Sequence, residues 1–201
     1  MDKFSEVEIK VDATELDPHK FMAFVVSQTD VVPEKVRIIS GTDTFYRRGD
    51  DVIRHRCDGG TREEQEHFLT VKKRKSQDSL MDRKEIDLVL KAHGKEPILV
   101  EAFFELTGWQ KEFQLHKNYV VLNVEGIGYK ACIAMYDVWG GRRNPQDVKR
   151  FLEVEIERES SCTTEEAKAH LHDWLGRIKK DLLPNAIPLN LSLYEYFSKE
   201  Q

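Results

Sequence analysis

Cysteine is scarce in this 201-residue chain, and its three copies, Cys57, Cys132 and Cys162, stand far apart with no CxxC spacing. That excludes a disulfide framework and a zinc-ribbon site and points to reduced thiols in the cytoplasm. Long apolar runs are absent as well. No stretch approaches the roughly 20 residues a helix needs to cross a bilayer. The segment Met1-Asp2-Lys3-Phe4-Ser5 lacks the apolar core of a signal peptide, so no membrane partner is expected. A basic excess is missing too: 31 Lys and Arg stand against 36 Asp and Glu, for a net charge of -5. This argues against a general nucleic-acid binder and leaves room for a local basic pocket. No repeat of fixed period and no low-complexity segment occurs. His55, His67, His93, His116, His170 and His172 show no metal-ligand spacing. The length fits one domain, 1–201.

What the chain does have is charge laid out at the period of a strand. Successive side chains of a strand point to opposite faces. Glu6, Glu8 and Lys10 therefore share one face, with Val7, Ile9 and Val11 on the other. Glu153, Glu155 and Glu157 repeat the pattern against Leu152, Val154 and Ile156. Carboxylates massed on one face repel unless something positive sits among them, and a divalent cation is the obvious candidate. Basic strands answer the acidic ones. Arg54 and Arg56 share a face, as do Lys72 and Arg74, and Arg83, Glu85 and Asp87 alternate with Ile86 and Leu88. A solvated sheet face accounts for any one of these strands. Their repetition, with the signs segregated by strand, fits a barrel with a charged lumen. Such a lumen suits a polyphosphate: basic side chains hold the oxygens, and acidic ones hold a bridging metal.

The order of elements is strand-rich, with helices early and late, which is α+β rather than a regular βαβ succession. A strand is predicted over about 4–11. A helix follows to about Gln28, with Asp17 as N-cap and Pro18 at its first position. Val36 to Ser40 reads as a strand that Gly41 breaks. Strands are predicted over 52–57, 68–75 and 79–89, and a short helix over 88–94 capped by Gly94. The stretch 98–107 fits either state. Further strands are predicted over 110–115, 118–125, 131–138 and 150–157, with an irregular loop from Trp139 to Pro145. Thr163 or Thr164 caps a last long helix whose apolar stripe is Ala167, Leu171, Trp174, Leu175 and Ile178.

At this point the pattern resembles a family. Glu6-x-Glu8-x-Lys10 is similar to the ExExK signature of the CYTH superfamily, the triphosphate tunnel metalloenzymes. Arg54-x-Arg56, Thr70-Val71-Lys72, Arg83-x-Glu85, Asp137 followed by Glu153-x-Glu155, and Ser192-Leu193-Tyr194-Glu195 resemble its later elements in the same order. The resemblance implies a closed or nearly closed antiparallel β-barrel with flanking helices. It implies Mg²⁺- or Mn²⁺-dependent hydrolysis of inorganic triphosphate or of a nucleoside or other organic triphosphate. An RNA 5′-triphosphate end falls within that class. Class IV adenylyl cyclisation and non-catalytic nucleotide or polyphosphate binding are the alternatives.

Residue by residue, the resemblance makes Glu6, Glu8 and Glu155 metal ligands, with Glu153 and Asp137 aiding them or holding a second ion. Glu6, Glu8 and Lys10 are the catalytic candidates. Lys10, Arg54, Arg56, Lys72, Arg74 and Arg83 are expected to hold the triphosphate, with Lys111 and Lys130. The chain departs from the pattern in places. The mid-chain KxR pair is reduced to Lys111, for which Lys117 or Lys130 could compensate. Arg47 and Arg48 follow the aromatic pair Phe45-Tyr46 where many relatives carry an aspartate. A monomer or homodimer is expected.

Overall fold

The computed structural model describes residues 5–28, 32–59, 66–74, 82–90, 97–143, 146–157, 162–189 and 191–199, with backbone alone at 5–6, 32–35, 72–74, 82–85, 97–98 and 157. The described residues form an α+β fold of eight strands and four helices. The strands are β1 (Ser5–Asp12), β2 (Val32–Arg48), β3 (Asp51–Asp58), β4 (Glu66–Arg74), β5 (Asp82–Leu90), β6 (Gln110–Gly126), β7 (Tyr129–Gly140) and β8 (Lys149–Glu157). All pairings are antiparallel, in the order β1-β5-β4-β3-β2-β6-β7-β8. The order returns on itself through β1, which meets β8 over six residue pairs and β5 over three. Among the described residues the β1–β5 pairing is the shortest of the sheet.

Side-chain alternation divides the sheet into two faces. On the outer face Val7, Ile9, Val11, Ile133, Leu152, Val154 and Ile156 are buried under α1 (Pro18–Ser27) and α3 (Thr164–Asp181). The helix α3 contributes Ala167, Leu171, Trp174 and Ile178, and the Trp174 indole donates to the Tyr129 hydroxyl at 3.1 Å. Both helices start where the sequence says. Asp17 accepts the backbone N–H of His19 at 2.7 Å, with Pro18 behind it. Thr163 and Glu166 form a reciprocal capping box. None of the helices is long and apolar enough, among the described residues, to cross a membrane.

A second apolar cluster lies at one end of the inner face, where α4 (Leu193–Phe197) seats Leu193 and Phe197 on Phe45, Phe113, Leu115, Tyr136, Val138 and Phe151. The remaining helix, α2 (Pro97–Leu106), stacks Phe104 on the outer-face Tyr46, ring centroids 4.4 Å apart.

Several elements differ from expectation. Gly41 does not end a strand, because β2 runs through it. It pairs with Asp58 of β3, and a Cβ there would lie 2.8 Å from the Cys57 carbonyl oxygen and closer still to the Asp58 carboxylate. The glycine marks close approach, not a break. The predicted strands 110–115 and 118–125 are one strand, β6, since β2 supplies a partner along its length. Leu88 to Leu90 belong to β5 rather than to a helix, and 91–94 lie outside the described residues. The ambiguous 98–107 stretch is helical through Leu106. Trp139 and Gly140 are the end of β7 rather than loop.

Candidate functional site

The inner face of the strands encloses a cavity of about 770 Å³. Glu8 and Lys10 of β1, Arg54 and Arg56 of β3, and Glu153 and Glu155 of β8 all line it. These six are sequence-predicted site residues, and the register explains their meeting. Glu8 pairs across the strands with Glu155, and Lys10 with Glu153. The Lys10 ammonium lies 2.9 Å from Glu153 and 3.6 Å from Glu8. Glu8 and Lys10 are both buried, while Glu153 keeps some exposure. The Tyr136 hydroxyl donates to Glu153 at 2.8 Å. Burial, and then the Glu153 charge, hold that phenol well above its usual range, so it stays a donor.

The basic side is organised by a residue the sequence reading missed. Asp43 of β2 is 1% exposed and sits beneath three cations. Arg56 Nε donates to Asp43 Oδ1 at 3.0 Å, Arg54 lies 3.9 Å from Oδ2, and Lys117 of β6 forms an ion pair with the same oxygen. Burial alone would raise the Asp43 carboxyl, but Arg56, Lys117 and Arg54 together hold it well below the usual carboxylate range. Burial pushes the Lys117 ammonium down to about 7, with Arg56 and Arg54 adding to the fall and Asp43 opposing it. A second support reaches Arg54, whose Nη2 donates to the Thr70 hydroxyl at 3.0 Å, and that hydroxyl donates to Asp87 of β5. Beyond these lies a less polar wall, with Ile39 paired to Tyr119 across the strands and Phe68 paired to Arg56.

Other expected members fall elsewhere. Asp137 is on the outer face, one residue out of phase with Tyr136. It takes two hydrogen bonds from Arg150, at 2.7 and 2.9 Å, and Arg150 also donates to the Leu16 carbonyl. It is a tether between β7, β8 and the loop before α1, not a metal ligand of the cavity. Lys111 also leaves the site. The register between β2 and β6 shifts at Phe45/Tyr46, so Glu112 is an extra residue and Lys111 pairs with Tyr46. The bulge reverses the alternation, and Lys111 reaches Glu101 of α2 at 2.8 Å. Lys117, weighed as a substitute, does line the cavity. Lys130 is in phase with Cys132, Ala134 and Tyr136 on the inner face, at the start of β7 opposite Glu125 and Glu157, and is not among the residues lining the cavity. Glu6 pairs with Arg83, and Arg83 with Arg74. The side chains of Glu6, Lys72, Arg74 and Arg83 lie outside the described residues.

Among the described residues no three His, Cys, Asp or Glu side chains are grouped so as to cage a metal ion. The opposed pair Glu8 and Glu155 nevertheless fits a hard cation of the Mg²⁺ kind, which takes one or two carboxylates and completes its shell with phosphate oxygens and water.

No family model and no curated protein matches the chain. Solved structures do. The PH1819 protein from Pyrococcus horikoshii OT3 matches with a TM-score of 0.66 at 17% identity, over 95% of this chain and 97% of that one. A conserved hypothetical protein from Pyrococcus furiosus matches with a TM-score of 0.62 at 19% identity, over 96% and 99%. These likenesses establish a shared fold along nearly the whole length of both chains. The Pct1 RNA triphosphatase of S. pombe matches at a TM-score of 0.41 and 14% identity, over 90% of this chain and 82% of that one, too remote to speak for activity here.

Proposed function

We propose that this chain binds a triphosphate in the cavity, as in a tunnel, and hydrolyses it in a metal-dependent reaction, the substrate being inorganic triphosphate or a nucleoside or other organic triphosphate. One observation carries the reading. Three strands distant in sequence bring Glu8, Lys10, Arg54, Arg56, Glu153 and Glu155 to one cavity, with the two arginines on one strand and the carboxylates gathered around Lys10 on the other two. A surface-solvated charge pattern would not bury Glu8, Lys10, Asp43 and Lys117. The tunnel-enzyme resemblance names those same β1, β3 and β8 residues.

Phosphoryl transfer asks mostly for positioning and charge neutralisation. Arg56 is held from below by Asp43 through Nε, which leaves its terminal N–H groups to meet phosphate oxygens without rearranging, and Arg54 is braced beside it by Thr70. Lys10, fixed by Glu153, adds a cation at the acidic end. Glu8 and Glu155 would hold the metal, with Glu6 on the same strand as Glu8. When bound, such an ion supplies charge neutralisation across neighbouring phosphates. Tyr136 keeps Glu153 oriented toward Lys10.

A second reading is favoured by the less polar wall of Ile39, Phe68 and Tyr119, which could hold the organic end of a nucleotide. There the ribose hydroxyl would attack the α-phosphorus, and pyrophosphate would leave. Purified protein incubated with Mg²⁺ or Mn²⁺ and tripolyphosphate, ATP, other organic triphosphates or a 5′-triphosphorylated RNA separates the readings. Orthophosphate release supports hydrolysis. Cyclic nucleotide with pyrophosphate supports cyclisation, and tight binding without products supports sequestration. Neither binding nor turnover of any of them sinks the triphosphate assignment.

A further inference from the structure

We infer that Asp43 is a positioning residue of the anion clamp: a fixed internal counter-charge that aims Arg56 and keeps Lys117 cationic. This rests on the triphosphate reading for its function and on geometry for its placement. A carboxylate on the inner face of a polyanion site looks wrong by charge, since it repels the ligand. Its position resolves the conflict. Asp43 is 1% exposed, so it sits behind the cations and not among them. It takes Arg56 through Nε, and so leaves the terminal guanidinium nitrogens for another acceptor. It takes Lys117 through Nζ, the only polar atom of that side chain.

Lys117 depends on Asp43 for its charge. The groups facing it are Asp43 from β2, Arg54 and Arg56 from β3, Tyr136 from β7 at 5.5 Å from ring centroid to Nζ, and Tyr119 two residues along β6. Asp58 lies beside Tyr119, and Glu153 behind Tyr136. Asp43 is the carboxylate in contact with the ammonium and the main group favouring its charged form, with the more distant Asp58 attracted by the same charge, while burial, Arg56 and Arg54 oppose it. A lysine so placed stands near the edge of losing its proton at neutral pH. An incoming triphosphate would push the proton back on.

The test measures tripolyphosphate affinity by calorimetry in EDTA, where no metal-dependent turnover occurs, from pH 6 to 9. Wild type is compared with K117R, which keeps its charge throughout. Affinity ratios at each pH cancel the titration of the ligand itself. The wild type is expected to lose about tenfold relative to K117R as pH rises, the worth of one charge-assisted hydrogen bond. In D43N the same loss is expected to begin at lower pH. Coincident wild-type and K117R profiles overturn the inference, as does a folded D43N with an unshifted profile. Should D43N fail to fold, the wild-type and K117R pair decides. The ¹³Cε shift of Lys117, titrated without ligand, tests placement separately: a midpoint unmoved by D43N overturns the inference even if tripolyphosphate binds. Absence of tripolyphosphate binding at every pH, with Lys117 titrating and shifting as described, supports Asp43 as the group holding Lys117 and overturns the triphosphate reading alone.

Discussion

Glu8 and Glu155 face each other directly across two strands, and Glu8 is almost wholly buried. Two carboxylates so close gain from a cation between them, and only one of the two need be lost to weaken its hold. Glu8→Gln is nearly the same shape and removes one charge. It is expected to cut metal-dependent triphosphate turnover about a hundredfold or more while leaving the fold intact. Steady-state rates beside a far-ultraviolet spectrum check this, and full turnover would remove Glu8 from the site. Asp137→Asn is the contrasting case. Its partner is Arg150 on the outer face, so it is expected to cost about 1 kcal/mol of stability in urea unfolding and to leave turnover nearly unchanged. A turnover loss as large as that of the Glu8 variant would put Asp137 back in the site. Arg54→Ala leaves the hydroxyl of Thr70 without its donor and the cavity short of a cation. Tripolyphosphate affinity is expected to fall about tenfold or more.

Strands carry a site of this kind because a period of two sends every second residue inward, and one break in the alternation redirects a side chain. The Glu112 bulge does this to Lys111. Gly41 shows the opposite case, a glycine that lets β2 continue because β3 passes close by. Gly41→Ala is expected to push Asp58 and the Cys57 carbonyl aside, lower the melting temperature by several degrees and weaken tripolyphosphate binding through the neighbouring Asp43. Wild-type melting and affinity would show that the local approach is looser than it looks. These elements also mark how far the sequence could be read. The strands carrying Glu8, Arg54 and Glu155 were legible because polar and apolar residues alternate cleanly along them. So was α3, through its cap and apolar stripe. The Asp43 cluster was not, because Gly41 suggested a break just where the strand needed to be followed inward. Lys111 and Asp137 were misplaced because motif order says nothing of a bulge or of a one-residue phase. Lys117 was one of two open substitutes, and only the pairing of β6 with β2 shows that it reaches the cavity beside Asp43.

The whole molecule separates its two jobs by face. Apolar residues under α1 and α3 hold the outer side together, while the inner side carries the charged cavity beside the smaller apolar cluster under α4. A ligand that joins β1, β3 and β8 from within should therefore stabilise the entire sheet by mass action. Acid should act differently, and through a pair that has no part in the cavity. His55 and His67 stack on the outer face of β3 and β4, with ring nitrogens 3.0 Å apart. Burial, and for His55 the neighbouring His67, push both imidazoles down, His55 to about 4. Unfolded histidine titrates near 6.5, so at intermediate pH the unfolded chain binds more protons than the folded one. The stability that comes from keeping the pair neutral is complete above about 6.5 and is lost as pH falls toward 4. Neither member of the Asp43–Lys117 pair interferes in the upper part of that window. The depressed Asp43 carboxyl gives up its contribution only below about 4, and the penalty on Lys117 has reached its full value once pH is below about 7. Urea midpoints are thus expected to fall steadily between about pH 6.5 and 4.5. The double variant H55Q/H67Q, less stable throughout, is expected to show a flatter profile over that range. An equal slope in both proteins would mean that the acid sensitivity comes from other groups than this buried pair.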